Sequence, residues 1–272
     1  MERTALTLSP EKLVGELSAM LGDADPSGVV IAFDGDGTLW SGDVGEDLFR
    51  AAMRDAYLLE DATPALLAEA ARHHVALGSA KDANAIARTL LAAYLAGSYP
   101  ERETCAMMSW CYAGRMLAEV ADFAATVLKE DDLQSRLNRE VAPVIAWARN
   151  TGIRLVLISA SPRVVIDAAG AFWGFEPADI AAATPAVEAG RVLPRMAGQV
   201  PYAEAKLSAG RELFGKLRWL AAFGDNVFDI DMLKGAELGV AVRPKPKLET
   251  ELAALGLRLL ERGVGASRSS AR

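Results

Sequence analysis

The sequence predicts an α/β protein: a doubly wound parallel sheet with helices on both faces, interrupted by one all-helical segment. Three observations carry that prediction. Short β-branched apolar runs at residues 28–34 (GVVIAFD), 153–159 (IRLVLIS), 219–224 (WLAAFG) and 238–242 (LGVAV) suit strands buried on both faces. Helical patterns at 143–150, 162–171, 202–217 and 247–255 give the strand–helix alternation of a parallel sheet. From residue 41 to residue 129 there are only Ala-, Leu- and Met-rich segments, such as ALLAEAARHHVAL, ANAIARTLLAAYLAG and AGRMLAEVADFAATVL.

In chain order, residues 8–22 form an amphipathic helix opened by Ser9-Pro10, an N-cap followed by proline at the first helical position. The first strand runs into Asp34-Gly35-Asp36-Gly37-Thr38, and the helical segment follows directly. The expected division is therefore a sheet domain of residues 1–40 and 130–272 and a helical domain of residues 41–129. The second strand ends in Ser159-Ala160-Ser161 and the third in Gly224-Asp225-Asn226-Val227-Phe228-Asp229. Residues 184–201 read as a small hairpin turning at 188–190, and residues 263–272 as a frayed tail.

Composition narrows the chemistry. The 272 residues are 51% hydrophobic and 24% charged, which excludes a disordered or collagen-like chain. With 29 Lys and Arg against 36 Asp and Glu, the net charge of −7 argues against a nucleic-acid partner. His73 and His74 are the only histidines, and Cys105 and Cys111 the only cysteines, so no His-rich zinc site or four-cysteine cluster can form. The cysteines lie about 240° apart around a helix axis, too far round to form a disulfide, and are expected as reduced thiols. The first 21 residues carry Glu2, Glu11 and Glu16, and no uncharged apolar run reaches membrane length, so a soluble cytoplasmic protein without a membrane partner is expected.

Functional residues of open parallel sheets gather at the carboxyl ends of the strands. Asp and Gly there are ordinary turn residues when met singly, but two Asp-rich turns and a hydroxyl turn recur at these ends. Two carboxylates about 5 Å apart repel by about 3 kcal/mol at an effective dielectric near 20, so a converging set needs a cation. Oxygen donors of this kind suit Mg²⁺ bound together with a substrate phosphate. One Asp can then attack phosphorus, and a carboxyl two residues later can protonate the leaving oxygen and deprotonate water.

FDGDGTLW, LVLISAS, a lysine on the 202–217 helix and FGDNVFDIDML resemble the four motifs of the haloacid dehalogenase superfamily, in order and with suitable spacing. The resemblance implies a Rossmann-like core with an inserted helical cap. It makes Asp34 the nucleophile, Asp36 the general acid and base, Ser159 the phosphoryl-oxygen donor and Lys206 the positive clamp. It implies Mg²⁺ held by Asp34, Asp225 and the backbone carbonyl of Asp36, with Asp229 supporting the metal waters.

A helical insert at this point and the hairpin resemble the phosphoserine phosphatase-like branch. DGDGTLWSGDVGEDLF is also similar to phosphorylcholine phosphatases, which place Trp, Asp and Glu at the positions of Trp40, Asp43 and Glu46. Trp40, Asp43, Glu46, Ser161 and Asn226 are thus candidate substrate contacts. An acid beside an aromatic suits an ammonium group, although Asp43 and Glu46 equally fit a helix start favoured by the dipole. Two features depart from phosphoserine phosphatases. Phe228 replaces their usual Asn, and their substrate-carboxylate arginine has no single counterpart among Arg50, Arg54, Arg72, Arg88 and Arg115.

The function implied is Mg²⁺-dependent hydrolysis of a small phosphorylated metabolite, of the phosphoserine, phosphocholine or phosphoethanolamine type, under a closing cap. A phosphomutase would use the same aspartates, and a phospho-accepting regulatory domain would use only the first. A second acid and a cap favour turnover. GRELFGK at 210–216 nearly matches a phosphate-binding loop, but it lies in a helical pattern and Leu217 replaces the required hydroxyl. Met107, Met108, Trp110 and Tyr112 read as core of the helical domain, and His73 and His74 as its surface.

Overall fold

A computed structural model describes residues 5–262; the expected C-terminal tail lies outside the described residues. The apolar runs become parallel strands: β1 (Leu6–Leu8), β2 (Val29–Phe33), β3 (Arg154–Pro162), β4 (Ile180–Ala183), β7 (Arg218–Gly224), β8 (Leu238–Val242) and β9 (Arg258–Leu260). They pair in the order β1-β9-β8-β7-β2-β3-β4, so the chain order reverses beside β2. The flanking helices are α1 (Pro10–Leu21), α8 (Ala142–Thr151), α9 (Arg163–Gly170), α10 (Glu204–Phe214), α11 (Ile230–Gly235) and α12 (Pro246–Leu255). Ser9 caps α1, accepting from Lys12 N–H at 3.3 Å, with proline in the first turn.

Side chains of β2 alternate between two cores. Val29, Ile31 and Phe33 join one apolar cluster, and Val30 and Ala32 join the other. Sheet strands buried on both faces explain the unbroken apolar runs in the sequence. Three strands exceed the expected set. β1 and β9 are three-residue partners at one edge, and β4 is a four-residue edge strand, all too short to show a pattern.

Between β2 and the next sheet strand lie α2 (Val44–Arg54), α3 (Thr63–Arg72), α4 (Ala83–Leu95), α5 (Glu101–Trp110), α6 (Leu117–Glu130) and the short α7 (Leu133–Arg136). Phe49, Met107, Trp110 and Tyr112 of this insert share the apolar cluster of Phe33, so insert and sheet bury one continuous core. The expected hairpin is β5 (Pro185–Glu188) with β6 (Arg191–Met196), turning through Ala189 and Gly190, both at positive φ. It clips onto the insert: Gly114 and Leu117 N–H donate to Val192 and Gly190, and Val192 N–H donates to Arg115.

His73 does not lie free on the surface as expected. It is half-buried, with Nε2 3.0 Å from Glu69 Oε1 and its ring edge-on to Tyr99, because α3 and α4 pack there. His74 stands beyond the end of α3 at φ +56°. No helix among the described residues is long and apolar enough to cross a membrane.

Candidate active site

Register decides where the polar residues meet. Phe33 pairs with Leu157 on one side and Phe223 on the other, so Asp34 and Asp225 leave their strands beside Ser159, which is still within β3, next to the reversal in strand order. Past Asp34 the chain turns tightly, with Leu39 N–H donating to Gly35 and Gly37 N–H to the Trp40 carbonyl, each at 2.8 Å. Buried Asn138 clamps the turn by donating to the Gly37 and Thr38 carbonyls at 2.9 Å, and Trp173 Nε1 donates to the Leu39 carbonyl at 3.1 Å. Neither residue has a local signal in the sequence, since each reaches the turn from a distant element.

Lys206, on α10, donates to Asp34 Oδ1 at 2.6 Å and to Asp229 Oδ1 at 2.5 Å. Asp34 Oδ2 accepts from Thr38 Oγ1 at 3.1 Å, and Asp229 Oδ2 accepts from the N–H groups of Asp225 and Asn226 at 3.0 and 2.9 Å. Burial pushes Asp34 up to about 7, with Lys206 opposing and Asp229 adding to the rise. Burial likewise pushes Asp225 up to about 8, reinforced by Asp34 and Asp229. Burial opposes the charge on Lys206, yet Asp229 and Asp34 outweigh it and hold the ammonium above its ordinary range.

Asp36 turns another way. Its Oδ1 accepts from Trp40 Nε1 and Val44 N–H, both at 2.8 Å, and its Oδ2 accepts from Ser161 Oγ at 2.6 Å. This corrects two expectations. Trp40 is fully buried and cannot touch a ligand in this conformation; it holds Asp36 from behind. The Asp36 carboxylate, fixed by three donors, is not in the carboxylate cluster, which consists of Asp34, Asp225 and Asp229 with one oxygen each within 4.8 Å of the others. Ser161 still lines the cleft, but its hydroxyl is spent on Asp36. Ser159 Oγ accepts from Ser161 N–H at 3.1 Å, which leaves its own proton free to donate into the cleft. Asn226 also lines the cleft while its side chain caps the turn at Val227.

The expected pair at the start of α2 faces the same cleft. Asp43 caps the helix, accepting from Glu46 N–H at 2.8 Å, and its surface opens into the cleft. The crowded walls, and then Asp36, raise its carboxyl well above the usual range. Glu46 lines a smaller pocket that adjoins the cleft and pairs with Arg50 at 2.8 Å.

Folding adds lining residues that the sequence did not single out: Glu101 and Cys105 of α5, Tyr202, and Lys245 beyond β8. Tyr202 lies against Phe228, with ring centroids 4.6 Å apart. Burial raises the Glu101 carboxyl and pushes the Cys105 thiol far up, away from a nucleophilic thiolate. Lys245 was findable, because it follows a fourth strand end as the Asp-rich turns follow theirs. None of the five arginines lines the cleft; Arg54 pairs with Asp55, Arg72 with Glu69, and Arg88 and Arg115 donate to the carbonyls of Met53 and Tyr57. GRELFGK lies within and just past α10, as its helical pattern predicted.

The donor set fits a hard divalent cation. Three carboxylates converge, and Lys245 Nζ approaches Asp225 Oδ2 only to 3.5 Å. Gly37, at φ +84°, leaves that space open, since a β-carbon there would lie 2.1 Å from Asp225 Oδ2. Gly37→Ala is therefore expected to weaken divalent-ion binding by about 10- to 100-fold, the range for disturbing the support of a metal ligand. Calorimetric titration with Mn²⁺ measures it; unchanged affinity would show that Asp225 does not need this space.

A family model for haloacid dehalogenase-like hydrolases matches residues 31–234. No curated protein matches the chain in sequence. Among solved structures, a protein of unknown function from Anaerococcus prevotii DSM 20548 superposes with TM-score 0.67 at 14% identity, covering 95% of this chain and 93% of its own. One of unknown function from Bordetella pertussis Tohama I gives 0.64 at 19% identity, covering 86% and 98%. A probable phosphoserine phosphatase from Vibrio cholerae gives 0.54 at 15% identity, covering 89% of this chain and 64% of its own. These likenesses share the fold, and the family match spans the strand ends that carry Asp34, Ser159 and Asp225: the chain belongs to the haloacid dehalogenase-like hydrolases.

Proposed function

We infer that the protein is a Mg²⁺-dependent phosphatase acting on a small phosphomonoester that carries an amine or quaternary ammonium group. Residues 1–40 and 130–272 form its catalytic core and residues 41–129 its cap. The observation that carries the reaction is the convergence of Asp34, Asp225 and Asp229, with Lys206 bridging Asp34 and Asp229 and Asp36 two residues past Asp34 on the same cleft.

Asp34 and Asp225, with Asp229, would hold Mg²⁺, and the ion would supply positive charge that offsets an incoming phosphate. A carboxylate oxygen of Asp34 forms a bond to phosphorus as the ester P–O bond breaks, and the leaving oxygen takes a proton delivered by Asp36, whose Oδ2 must first give up the Ser161 hydroxyl and carry that proton. Asp36 then removes a proton from water, whose oxygen attacks the phosphorus and releases phosphate from Asp34. Ser159 donates its hydroxyl to a phosphoryl oxygen. Lys206 holds Asp34 and Asp229 in place and adds positive charge beneath the phosphate.

The substrate class rests on a pocket that adjoins the cleft. Asp43, Glu46, Glu101 and Tyr94 line it, Asp43 and Glu101 are shared with the cleft, and Tyr202 and Phe228 line the cleft itself. Acids and aromatic rings together favour an organic cation. The Asp43→Asn, Glu101→Gln double variant is expected to lower kcat/KM for phosphocholine or phosphoethanolamine roughly tenfold or more relative to a neutral alkyl phosphate, from about 1.5–3 kcal/mol per charged contact. An unchanged ratio across such a panel would rule out the ammonium subsite while leaving the phosphatase reading standing.

A further inference from the structure

We propose that Lys245 is a tethered counter-ion for Asp225: it stands by that carboxylate while no divalent ion is bound, and a divalent ion frees it to hold the substrate phosphate. This rests on the metal-dependent phosphatase reading above. Two lysines line the cleft, and they differ in what they already hold. Lys206 is buried between two carboxylates at 2.6 and 2.5 Å, whereas Lys245 Nζ has one partner, Asp225 Oδ2, at 3.5 Å, and its side chain is half exposed.

The base of Lys245 is fixed while its end is loose. Its N–H donates to the Asp225 carbonyl at 2.7 Å, and the residue stands at the N-terminus of α12, just before Pro246. Two residues earlier Arg243 adopts φ +45°, a conformation costly for a residue with a β-carbon, and is held there by the buried Glu140 carboxylate through Nε at 2.5 Å and Nη2 at 3.0 Å. The four-carbon stem beyond that anchor can sweep the cleft.

Charge then sets the order of events. In the metal-free protein the ammonium stands beside the Asp225 carboxyl, with Nζ 3.5 Å from Oδ2. A divalent ion at Asp225 reverses the local sign and repels the ammonium. Glu101 and Asp43 also line the cleft within reach of its field, and an entering phosphate competes with them for it, because among the described residues no arginine lines the cleft and Lys206 stays committed. Lys245 is thus a positioning group that competes with the metal and favours the phosphate.

The test uses these opposite signs. Mn²⁺ titration of the whole protein without substrate, followed by electron paramagnetic resonance, is paired with KM for p-nitrophenyl phosphate at saturating Mg²⁺. Lys245→Met is expected to bind Mn²⁺ about fivefold more tightly and to raise KM by about the same factor, the scale of a partly exposed ion pair, with kcat changing less. Lys245→Arg is expected to keep both near the parent values. A merely structural role would weaken both, so Mn²⁺ binding that is unchanged or weaker in Lys245→Met overturns the proposal. So does an unchanged KM. Parent protein with no Mn²⁺ binding that Asp225→Asn removes would overturn the metal reading itself, and this proposal with it.

Discussion

Asp34→Asn is expected to lower phosphomonoester turnover by at least ~10³-fold, about 4 kcal/mol of barrier. An amide cannot form the acyl phosphate, and it weakens the charge that would hold a divalent ion. The fold should survive. Burial opposes the ionisation of Asp34, and Lys206 keeps Asp229 as a partner, so the melting temperature of the metal-free variant is expected to be unchanged or higher. The pH dependence separates this from general damage. Asp34 is pushed from 3.8 up to about 7 in the folded state, so between those values the native protein binds a proton that the unfolded chain has released. Stability of the metal-free parent therefore falls as pH rises from about 4 to 7. The variant should show a shallower fall, retaining the part due to Asp225, which is pushed up to about 8.

Lys206→Met is expected to lose both activity and stability. The ammonium is 4% exposed and bridges Asp34 and Asp229; without it two carboxylates face each other in the interior. Removing one partner from a buried ion pair costs about 3–5 kcal/mol. Urea unfolding of the metal-free variant should show that loss at neutral pH, shrinking as pH falls and the carboxyls take up protons. A divalent ion should restore part of it by supplying positive charge. Lys206→Arg is not expected to rescue activity, because a planar fork does not fit a gap sized for one ammonium nitrogen. Equal stability of parent and Lys206→Met at neutral pH would mean that the carboxylates are relieved in some other way.

What the sequence carried, and what it did not, follows from the range of the interactions. Asp34, Asp225 and Asp229 were legible because strand and turn are adjacent in sequence and the strand ends of a parallel sheet converge. Lys206 came through the superfamily resemblance, and the structure puts it between two of those carboxylates. The alternation of short apolar runs with helical patterns sufficed for the doubly wound sheet. β1 and β9 were not legible, because strands of three residues at an edge carry no period.

The role of Trp40 as a substrate contact was misread for another reason: only coordinates reveal that its indole is buried with Nε1 on the Asp36 carboxylate, which Ser161, a lining residue of the cleft, also meets. Glu101 reached the cleft because the insert folds back over the sheet, a long-range event with no local mark. Asn138 is similar: a buried amide 101 residues from the Gly37 carbonyl it clamps.

The central claim is that Asp34 carries the phosphoryl group. The direct measurement is a single turnover of p-nitrophenyl phosphate with Mg²⁺, quenched in acid and treated with hydroxylamine, followed by mass spectrometry of the peptide containing Asp34. The expected result is an Asp34 hydroxamate that requires both substrate and Mg²⁺ and is missing in Asp34→Asn. Modification at another residue, or full turnover by Asp34→Asn, would contradict it.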